Sequence, residues 1–258
     1  MGLNITLLEE TKPFFRIRFG SYTDKGKRGE NEDSLLLYHD NILYSFGIAD
    51  GAGGHTFGKQ VSEATVRALE AELKNNNEYS IDYIYRLLQR KYEQINDHIY
   101  SYSRSSGKVM VTTLSMINIV GYRMIISNVG DTKIFRIRDK KLTLLSKVHT
   151  VAWSQFELGI INEKQLNEHK QKHVLTKGIG GAEKIAPYFA KELVEDHDIY
   201  LICSDGVYNC LSEDKMIELF STERTYTNQE LDEICKKCVS IAFQNQADDN
   251  MSIIAVQI

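Results

Sequence analysis

The sequence predicts an α+β fold in which helices lie outside packed antiparallel sheets. Short strand-like apolar runs occur in blocks separated by turn residues. Amphipathic helices form blocks of their own, so the strict strand–helix alternation of a parallel, doubly wound sheet is missing. The 258 residues include only two prolines and no Gly/Ser-rich linker or internal repeat. We therefore expect a single domain over residues 1–258.

The first half of the chain is predicted to form three strands followed by two helices. The strands are expected at residues 15–20, 34–38 and 42–50. Apolar residues recur at helical spacing over residues 58–73 and 81–102. The residues predicted to face the core are Val61, Ala64, Thr65, Ala68 and Leu69 in the first helix, and Ile84, Leu87, Leu88, Ile95 and Ile99 in the second.

Strands resume in the second half as a predicted antiparallel meander. Turn residues separate its four runs at Gly121, at Gly130-Asp131 and at Asp139-Lys140. The runs span residues 111–120, 122–129, 132–138 and 141–146. We expect each run to pair with the next along the chain.

The last part of the chain combines a mixed segment with strands and capped helices. The segment from His149 to Gly181 contains a short helix that begins after Asn162, with Gln165 in the capping-box position. Two further helices are predicted after the N-caps Ser212 and Thr227. Strands are predicted at residues 198–205 and 251–258. Cys235 and Cys238 repeat at helical spacing with their apolar neighbours, and no second ligand pair for zinc follows them, so both thiols are expected to face the core.

Composition excludes several functional classes. With 31 basic and 35 acidic side chains the net charge is −4, which gives no electrostatic reason to expect nucleic-acid binding. No run approaches the roughly 18 apolar residues of a membrane-spanning helix. The first ten residues carry acids and no basic region, unlike a secretory signal. We therefore expect a cytoplasmic enzyme that binds neither membranes nor nucleic acid.

Four acidic clusters lie at the ends of predicted strands. Asp50 and Asp205 each end an apolar run and precede a glycine. Asp-Gly is also an ordinary turn dipeptide, so each instance alone is weak support for a site. Carboxylates brought together repel unless a multivalent cation neutralises them, and oxygen ligands without His or Cys select Mg²⁺ or Mn²⁺. The clusters are Arg28–Ser34, Ile48–His55, Cys203–Val207 and Ala247–Asn250.

Other phosphate- and cation-binding motifs do not occur in the sequence. It lacks the EF-hand calcium loop, and its glycine-rich DGAGGHTFG segment lacks the lysine and Ser/Thr of a Walker loop. Neither Cys203 nor Cys210 begins a Cys-x5-Arg phosphate loop. A thiolate nucleophile is therefore not indicated.

The ordered motifs TDKGKRGENEDS, FGIADGAGGHTFGKQVSEA, SNVGDTKIFRIR, LICSDGV and ADDNMSIIAV resemble the metal-dependent PPM/PP2C family of protein serine/threonine phosphatases, and its bacterial stand-alone branch matches best. The resemblance covers roughly residues 14 to 258. It implies a four-layer α-β-β-α sandwich with a binuclear Mg²⁺ or Mn²⁺ centre in a cleft at one edge of the sheets. It also implies hydrolysis of phosphoserine and phosphothreonine by a metal-activated water, without a covalent phospho-enzyme.

Metal ligands are carried over from the family position by position. Asp50 resembles the carboxylate that bridges both metals, and the Gly51 carbonyl resembles a ligand of one of them. Asp205 and Asp249 resemble ligands of the other metal. Asp33 would join them directly or through water. In a separate role, Glu32 would hold metal-bound water.

The remaining site residues have less specific matches. Arg28 matches the phosphate-binding arginine, and its guanidinium fork can pair with two phosphoryl oxygens. Asp131 matches a position that holds a third metal together with the Asp205 equivalent, but Gly130-Asp131 could equally be a simple hairpin turn. Ala52 stands where some members have a histidine that protonates the leaving alcohol. His55 completes the bacterial DG-x-GGH pattern, with either a catalytic or a structural role.

The resemblance also implies partners. The segment at about residues 147–181 resembles the flap beside the cleft, which is tied to substrate choice in the family. We expect a monomer that acts on phosphorylated proteins and opposes a serine/threonine kinase. Two alternatives stay open at this point: a pseudophosphatase that binds phosphorylated partners without turnover, and a phosphohydrolase that acts on small molecules.

Overall fold

A computed structural model of the protein describes residues 16–52 and 57–258. The strands in these residues are β1 (Arg18–Asp24), β2 (Asp33–His39), β3 (Leu43–Ala52), β4 (Val111–Thr112), β5 (Leu114–Val120), β6 (Arg123–Val129), β7 (Lys133–Arg138), β8 (Lys141–Leu144), β9 (Tyr188–Leu193), β10 (Ile199–Cys203) and β11 (Met251–Gln257). The helices are α1 (Phe57–Lys74), α2 (Ile81–Ser106), α3 (Val151–Glu157), α4 (Glu163–Glu168), α5 (Asp205–Tyr208), α6 (Glu213–Leu219) and α7 (Asn228–Gln244).

The strands form two antiparallel sheets that pack face to face. The first sheet has the order β1-β11-β10-β7-β8, and the second has the order β2-β3-β5-β6-β9 with β4 paired to β3. Apolar side chains such as Phe46, Tyr200 and Ile254 fill the space between the sheets. Helices α1 and α2 cover the outer face of the second sheet, and α7 covers that of the first. This is the predicted four-layer α-β-β-α arrangement, which is thereby confirmed.

The predicted meander is wrong at its midpoint. Strands β5 and β6 pair in the second sheet, whereas β7 pairs with β8 and β10 in the first. Gly130 and Asp131 therefore connect the two sheets and do not form a hairpin turn. Gly130 has φ 103°, and a Cβ added there would lie 2.5 Å from Thr113 Cγ2, so glycine is required where the chain crosses.

The predicted helices are confirmed, but some of the residues predicted to be buried in α1 are wrong. In α1 Ala64 is exposed, whereas Ser62 and Val66 are buried. Ser62 is buried because its hydroxyl donates to the Glu32 carbonyl at 2.6 Å and contacts the Ser34 hydroxyl at 2.9 Å. The five residues predicted to face inward in α2 are all buried. The capping interactions of Asn162, Ser212 and Thr227 are also confirmed.

Three elements were not predicted from the sequence. Strand β9 is a half-exposed edge strand whose charged residues obscure the strand pattern. Helix α3 begins after the N-cap Thr150 inside the mixed segment. Helix α5 is a single turn. In addition, the strand predicted over residues 198–205 ends at Cys203, and the first strand begins at Arg18.

The cysteines follow the prediction for a helix that faces the core. Cys235 and Cys238 are fully buried in α7, and all four cysteines are free thiols. Burial raises the pKa of Cys235 well above its ordinary value. Neither thiol is therefore poised for reaction at neutral pH.

None of the described helices combines the length and apolarity needed to cross a bilayer.

A buried ion pair holds the end of β7 to the residues that precede β10. Asp198 is 1% exposed and accepts hydrogen bonds from Arg138 Nε at 2.7 Å and Nη2 at 2.6 Å. The Tyr200 hydroxyl donates to the same carboxylate at 2.8 Å. Removing the arginine would leave a buried carboxylate without its charged partner.

We predict that Arg138→Met lowers the free energy of unfolding by about 2–4 kcal/mol, because the Asp198 carboxylate stays buried without a counter-charge. The matched control is Lys140→Met, which removes a solvent-exposed pair with Glu223 and should leave stability essentially unchanged. Urea unfolding followed by circular dichroism measures both. Equal stability of the Arg138→Met variant and the parent chain would contradict the prediction.

Candidate active site

An acidic cleft of about 560 Å³ opens at the end of the two packed sheets. Side chains from widely separated segments line it, and no lysine is among the described residues that do so. The charged and titratable lining residues are Arg28, Glu30, Glu32, Asp50, Asp131, His173, Asp205 and Asp249. The four predicted acidic clusters therefore meet in one place.

Strand pairing places two of the carboxylates side by side. Asp33 on β2 lies directly opposite Asp50 on β3 in the antiparallel register. Asp50 does not end its strand as predicted, because β3 continues to Ala52 and pairs there with β4. The Asp50 backbone is fixed by Thr113, whose N–H donates to its carbonyl at 2.8 Å and whose hydroxyl accepts from its N–H at 3.0 Å.

Close backbone contact brings Gly51 and Glu32 together at the start of α1. A Cβ on Gly51 would lie 2.1 Å from the Gly58 carbonyl oxygen, so a larger residue cannot fit. A Cβ on Gly58 would in turn lie 2.6 Å from Glu32 Oε2 and 2.8 Å from the Gly51 carbonyl oxygen. The carboxylate of Glu32 and the carbonyl of Gly51 therefore flank the same glycine.

The remaining carboxylates come from the first sheet and its connections. Asp205 is the first residue of α5, two positions beyond the end of β10, so it does not end a strand as predicted. His173 Nδ1 lies 3.1 Å from Asp205 Oδ2. Arg28 Nη2 donates to Asp249 Oδ2 at 2.8 Å, and its Nε donates to the Asp248 carbonyl at 2.7 Å.

Burial and mutual repulsion disfavour ionisation of these carboxyl groups. Burial, followed by the nearby Asp205 and Asp249, raises the pKa of Asp33 to about 7, although the Ser252 and Ser204 hydroxyls partly oppose the shift. Burial and then Asp205 raise the pKa of Asp131 to about 7. The pKa of Asp50 is raised well above its ordinary value by burial and by Asp33. The folded cleft therefore brings together more carboxyl groups than can ionise without a cost in free energy.

The donor set fits a hard divalent cation. Both oxygens of Asp33 and Oδ1 of Asp205 are buried and lack a well-formed hydrogen bond to any described residue. Oxygen ligands that are buried and only partly satisfied match the preference of Mg²⁺ and Mn²⁺. Within residues 16–52 and 57–258, no group of three acidic, His or Cys side chains is already arranged to hold a metal ion. Arg28 and His173 instead hold Asp249 and Asp205 individually.

The segment at about residues 147–181, predicted to be a flap, is anchored at Gly130, where the chain crosses between the sheets. The Gly130 N–H donates to His149 Nδ1 at 3.2 Å, and the His149 N–H donates to the Gly130 carbonyl at 3.0 Å. Burial lowers the pKa of His149 to about 4, which keeps the imidazole neutral and able to accept. Farther along the segment, His173 and Leu175 line the cleft.

Most of the predicted site residues are gathered in this cleft. Arg28, Glu32, Asp50, Gly51, Asp131, Asp205 and Asp249 line it, and Asp33 lies beside Asp50. His55 lies outside the described residues. His173 was missed, because no motif distinguishes it from the other histidines in the mixed segment. The prediction of a flap beside the cleft was the only signal that pointed to its region.

Comparison with known proteins places this chain in one family. The family model described as protein phosphatase 2C matches residues 27–236. The chain is 28% identical over 237 residues to a putative protein phosphatase 2C-type from Streptococcus pyogenes serotype M6, covering 91% of this chain and 94% of that protein. It is also 28% identical to the serine/threonine phosphatase stp of Listeria monocytogenes serotype 4b, covering 91% and 93% of the two chains.

Solved structures agree in fold. The serine/threonine phosphatase of S. agalactiae superposes with a TM-score of 0.87 at 27% identity and covers 94% of this chain and 100% of that one. The catalytic domain of the phosphatase PstP, solved in complex with two manganese ions, gives a TM-score of 0.79 at 23% identity, covering 93% and 97%. The protein is thus a protein phosphatase. It belongs to the protein phosphatase 2C family, and the resemblance found in the sequence is confirmed.

We predict that the metal-free protein loses stability as the pH rises from about 4 to about 7. In this window the folded state retains protons that the unfolded chain releases, because the pKa of Asp33 rises from 3.8 to about 7 on folding. Asp33→Asn should make this dependence shallower, since Asp131 keeps its raised pKa, and should raise the free energy of unfolding at pH 8 by about 2 kcal/mol or more.

Thermal unfolding in excess chelator across this pH range tests the prediction. Asp97→Asn, on the exposed surface of α2, is the matched control and should keep the parent pH dependence. The same pH dependence in Asp33→Asn and in the parent would refute the assignment of Asp33 as a buried carboxyl group repelled by its neighbours.

Proposed function

We propose that the protein hydrolyses phosphoserine and phosphothreonine on other proteins with the help of two Mn²⁺ or Mg²⁺ ions. One observation carries the proposal: carboxylates from four distant segments converge with an arginine in a single cleft. The family and the named relatives support the same activity. The unsatisfied oxygens of Asp33 and Asp205 support the need for cations.

Each oxygen ligand has a proposed role. Asp50, whose backbone is fixed by strand pairing, would be shared by both ions, and the Gly51 carbonyl would serve one of them. Asp205 and Asp249 would serve the other ion, together with Asp33. When bound, such a pair of ions supplies Lewis-acid chemistry: it makes water nucleophilic near neutral pH and offsets charge on the phosphoryl group.

Two further carboxylates have supporting roles in this proposal. Glu32 would orient water at the ions, since its carboxylate flanks Gly58 next to the Gly51 carbonyl. Asp131 would contribute to a third ion together with Asp205, because both line the same cleft. The buried position of Asp131 makes its carboxylate costly to ionise unless a cation is near.

The chain's own residues bind and orient the phosphate. Arg28 is half-exposed at the cleft and is paired with Asp249, so its second Nη can turn toward a phosphoryl group. A guanidinium recognises two phosphoryl oxygens at once, which orients the group for in-line attack. Ala52 cannot protonate the leaving alcohol, and we propose His55 for that step because it completes the bacterial sequence pattern in the same glycine-rich segment.

The biological setting is also part of the proposal. We infer one domain over residues 1–258, with a flap at about residues 147–181 that contributes to substrate choice. We further propose a monomer that reverses the action of a serine/threonine kinase. Four free thiols favour a reducing compartment such as the cytoplasm. Nucleic acid and membranes are not expected partners at a net charge of −4.

We predict that Asp50→Asn lowers the rate of phosphate release from a phosphothreonine peptide in Mn²⁺ by about 100-fold or more, because an amide cannot balance the charge of two cations. The matched control is Asp248→Asn, which changes an exposed side chain beside Asp249 and should keep the parent rate. Excess chelator should abolish the parent activity, and full activity in chelator would refute the proposal.

Two added measurements separate the alternatives. A pseudophosphatase would bind Mn²⁺ and phosphopeptide but release no phosphate in a single-turnover experiment. A small-molecule phosphohydrolase would prefer nucleotide or sugar phosphates over the phosphopeptide at equal concentration. The proposed function requires product release and preference for the peptide.

A further inference from the structure

Lys133 is a cation next to the acidic cleft that none of the roles above uses. It is the first residue of β7 and follows the crossover that carries Asp131. Its side chain is largely withdrawn from water, and no carboxylate of the described residues forms an ion pair with its ammonium, although Asp131 and Glu213 attract it from a longer distance. A buried ammonium without an ion pair needs another source of stabilisation.

Two aromatic rings surround this ammonium. Lys133 Nζ lies 3.9 Å from the centre of the Tyr208 ring and 5.5 Å from the centre of the Trp153 ring. Both distances fall within the range of cation–π attraction, which strengthens when the cation is withdrawn from water. The two rings therefore contact the ammonium at a distance where none of the described carboxylates pairs with it.

The rings belong to two parts of the cleft that are distant in sequence. Trp153 is in α3, the first helix of the flap segment. Tyr208 ends α5, the one-turn helix that begins with Asp205. The same segment is also tied at its base, where His149 contacts Gly130, and farther along, where His173 contacts Asp205. Lys133 thus joins the flap helix to the helix that presents a proposed metal ligand.

We propose that Lys133 is a positioning residue that pins flap helix α3 against α5 through its contacts with Trp153 and Tyr208. The flap then lies at a fixed place beside the cleft, where a protein substrate must contact it and a small phosphate ester need not. The contacts of Lys133 with the two rings support the positioning role by themselves. The expected effect on substrate binding rests on the proposed phosphatase function.

Fluorescence tests the pinning directly, because Trp153 is the chain's single tryptophan. Lys133→Met keeps the apolar stem but removes the charge. It should shift the Trp153 emission to longer wavelength and raise its acrylamide quenching constant about twofold. Lys133→Arg retains a cation over both rings and should restore the parent values. Lys141→Met, in the exposed start of β8, is the control for loss of a nearby lysine.

Unchanged emission and quenching in folded Lys133→Met would overturn the proposal. So would Lys133→Arg values that match those of Lys133→Met, since the charge would then not be the cause. Circular dichroism confirms that each variant is folded before the comparison.

Steady-state kinetics in saturating Mn²⁺ test the consequence for substrate. The KM for a phosphothreonine peptide should rise about fivefold in Lys133→Met, with the KM for p-nitrophenyl phosphate unchanged. Trp153→Leu should raise the peptide KM to a similar extent, and the double variant should show no further increase. Equal changes for both phosphate esters, or additive effects in the double variant, would contradict positioning through Trp153.

The fluorescence and the kinetic measurements distinguish failure of the proposed function from failure of the positioning role. If the parent protein hydrolyses neither phosphate ester, the proposed function fails, and the fluorescence comparison alone decides whether Lys133 pins the flap. If the parent is active and Lys133→Met changes neither fluorescence nor peptide KM, the positioning role fails while the proposed function stands.

Discussion

The central constraint on this structure is that several carboxyl groups are held close together in one buried cleft. Asp33, Asp50 and Asp131 lie where burial and neighbouring carboxylates disfavour their ionised forms. In water these side chains would stay apart, so the folded core must hold them together against repulsion. The apolar layer between the sheets and the two helix-covered faces supplies that force. A cleft of this kind is suited to cations rather than to an apolar ligand.

The fold places ligands from both sheets at one end of the sandwich. Strand pairing aligns Asp33 with Asp50 in the second sheet, and α5 presents Asp205 at the end of the first. The crossover at Gly130 brings Asp131 into the same cleft, since the chain changes sheets at that residue. Glycine is necessary there and at Gly51, where the backbone approaches Thr113 and Gly58 more closely than a Cβ allows.

Local sequence was enough to predict the layers, most elements and the acidic residues of the site. Apolar spacing marks helices and strands because burial selects it, and Asp-Gly pairs stand out against apolar runs. Pairing between distant strands leaves no such local mark, so the change of sheet at Gly130 was missed. The burial of Ser62 depends on partners at Ser34 and Glu32 that helical periodicity does not report. His173 reaches Asp205 only because of the way the segment around residues 147–181 folds.

The most direct test of the central claim is an equilibrium titration of the chelator-treated protein with Mn²⁺, monitored by isothermal calorimetry. The acidic cleft predicts saturable binding of about two ions per chain, and Asp50→Asn should weaken both because Asp50 is the proposed shared ligand. Binding of Mn²⁺ that is absent, or that is unchanged by Asp50→Asn, would contradict the account.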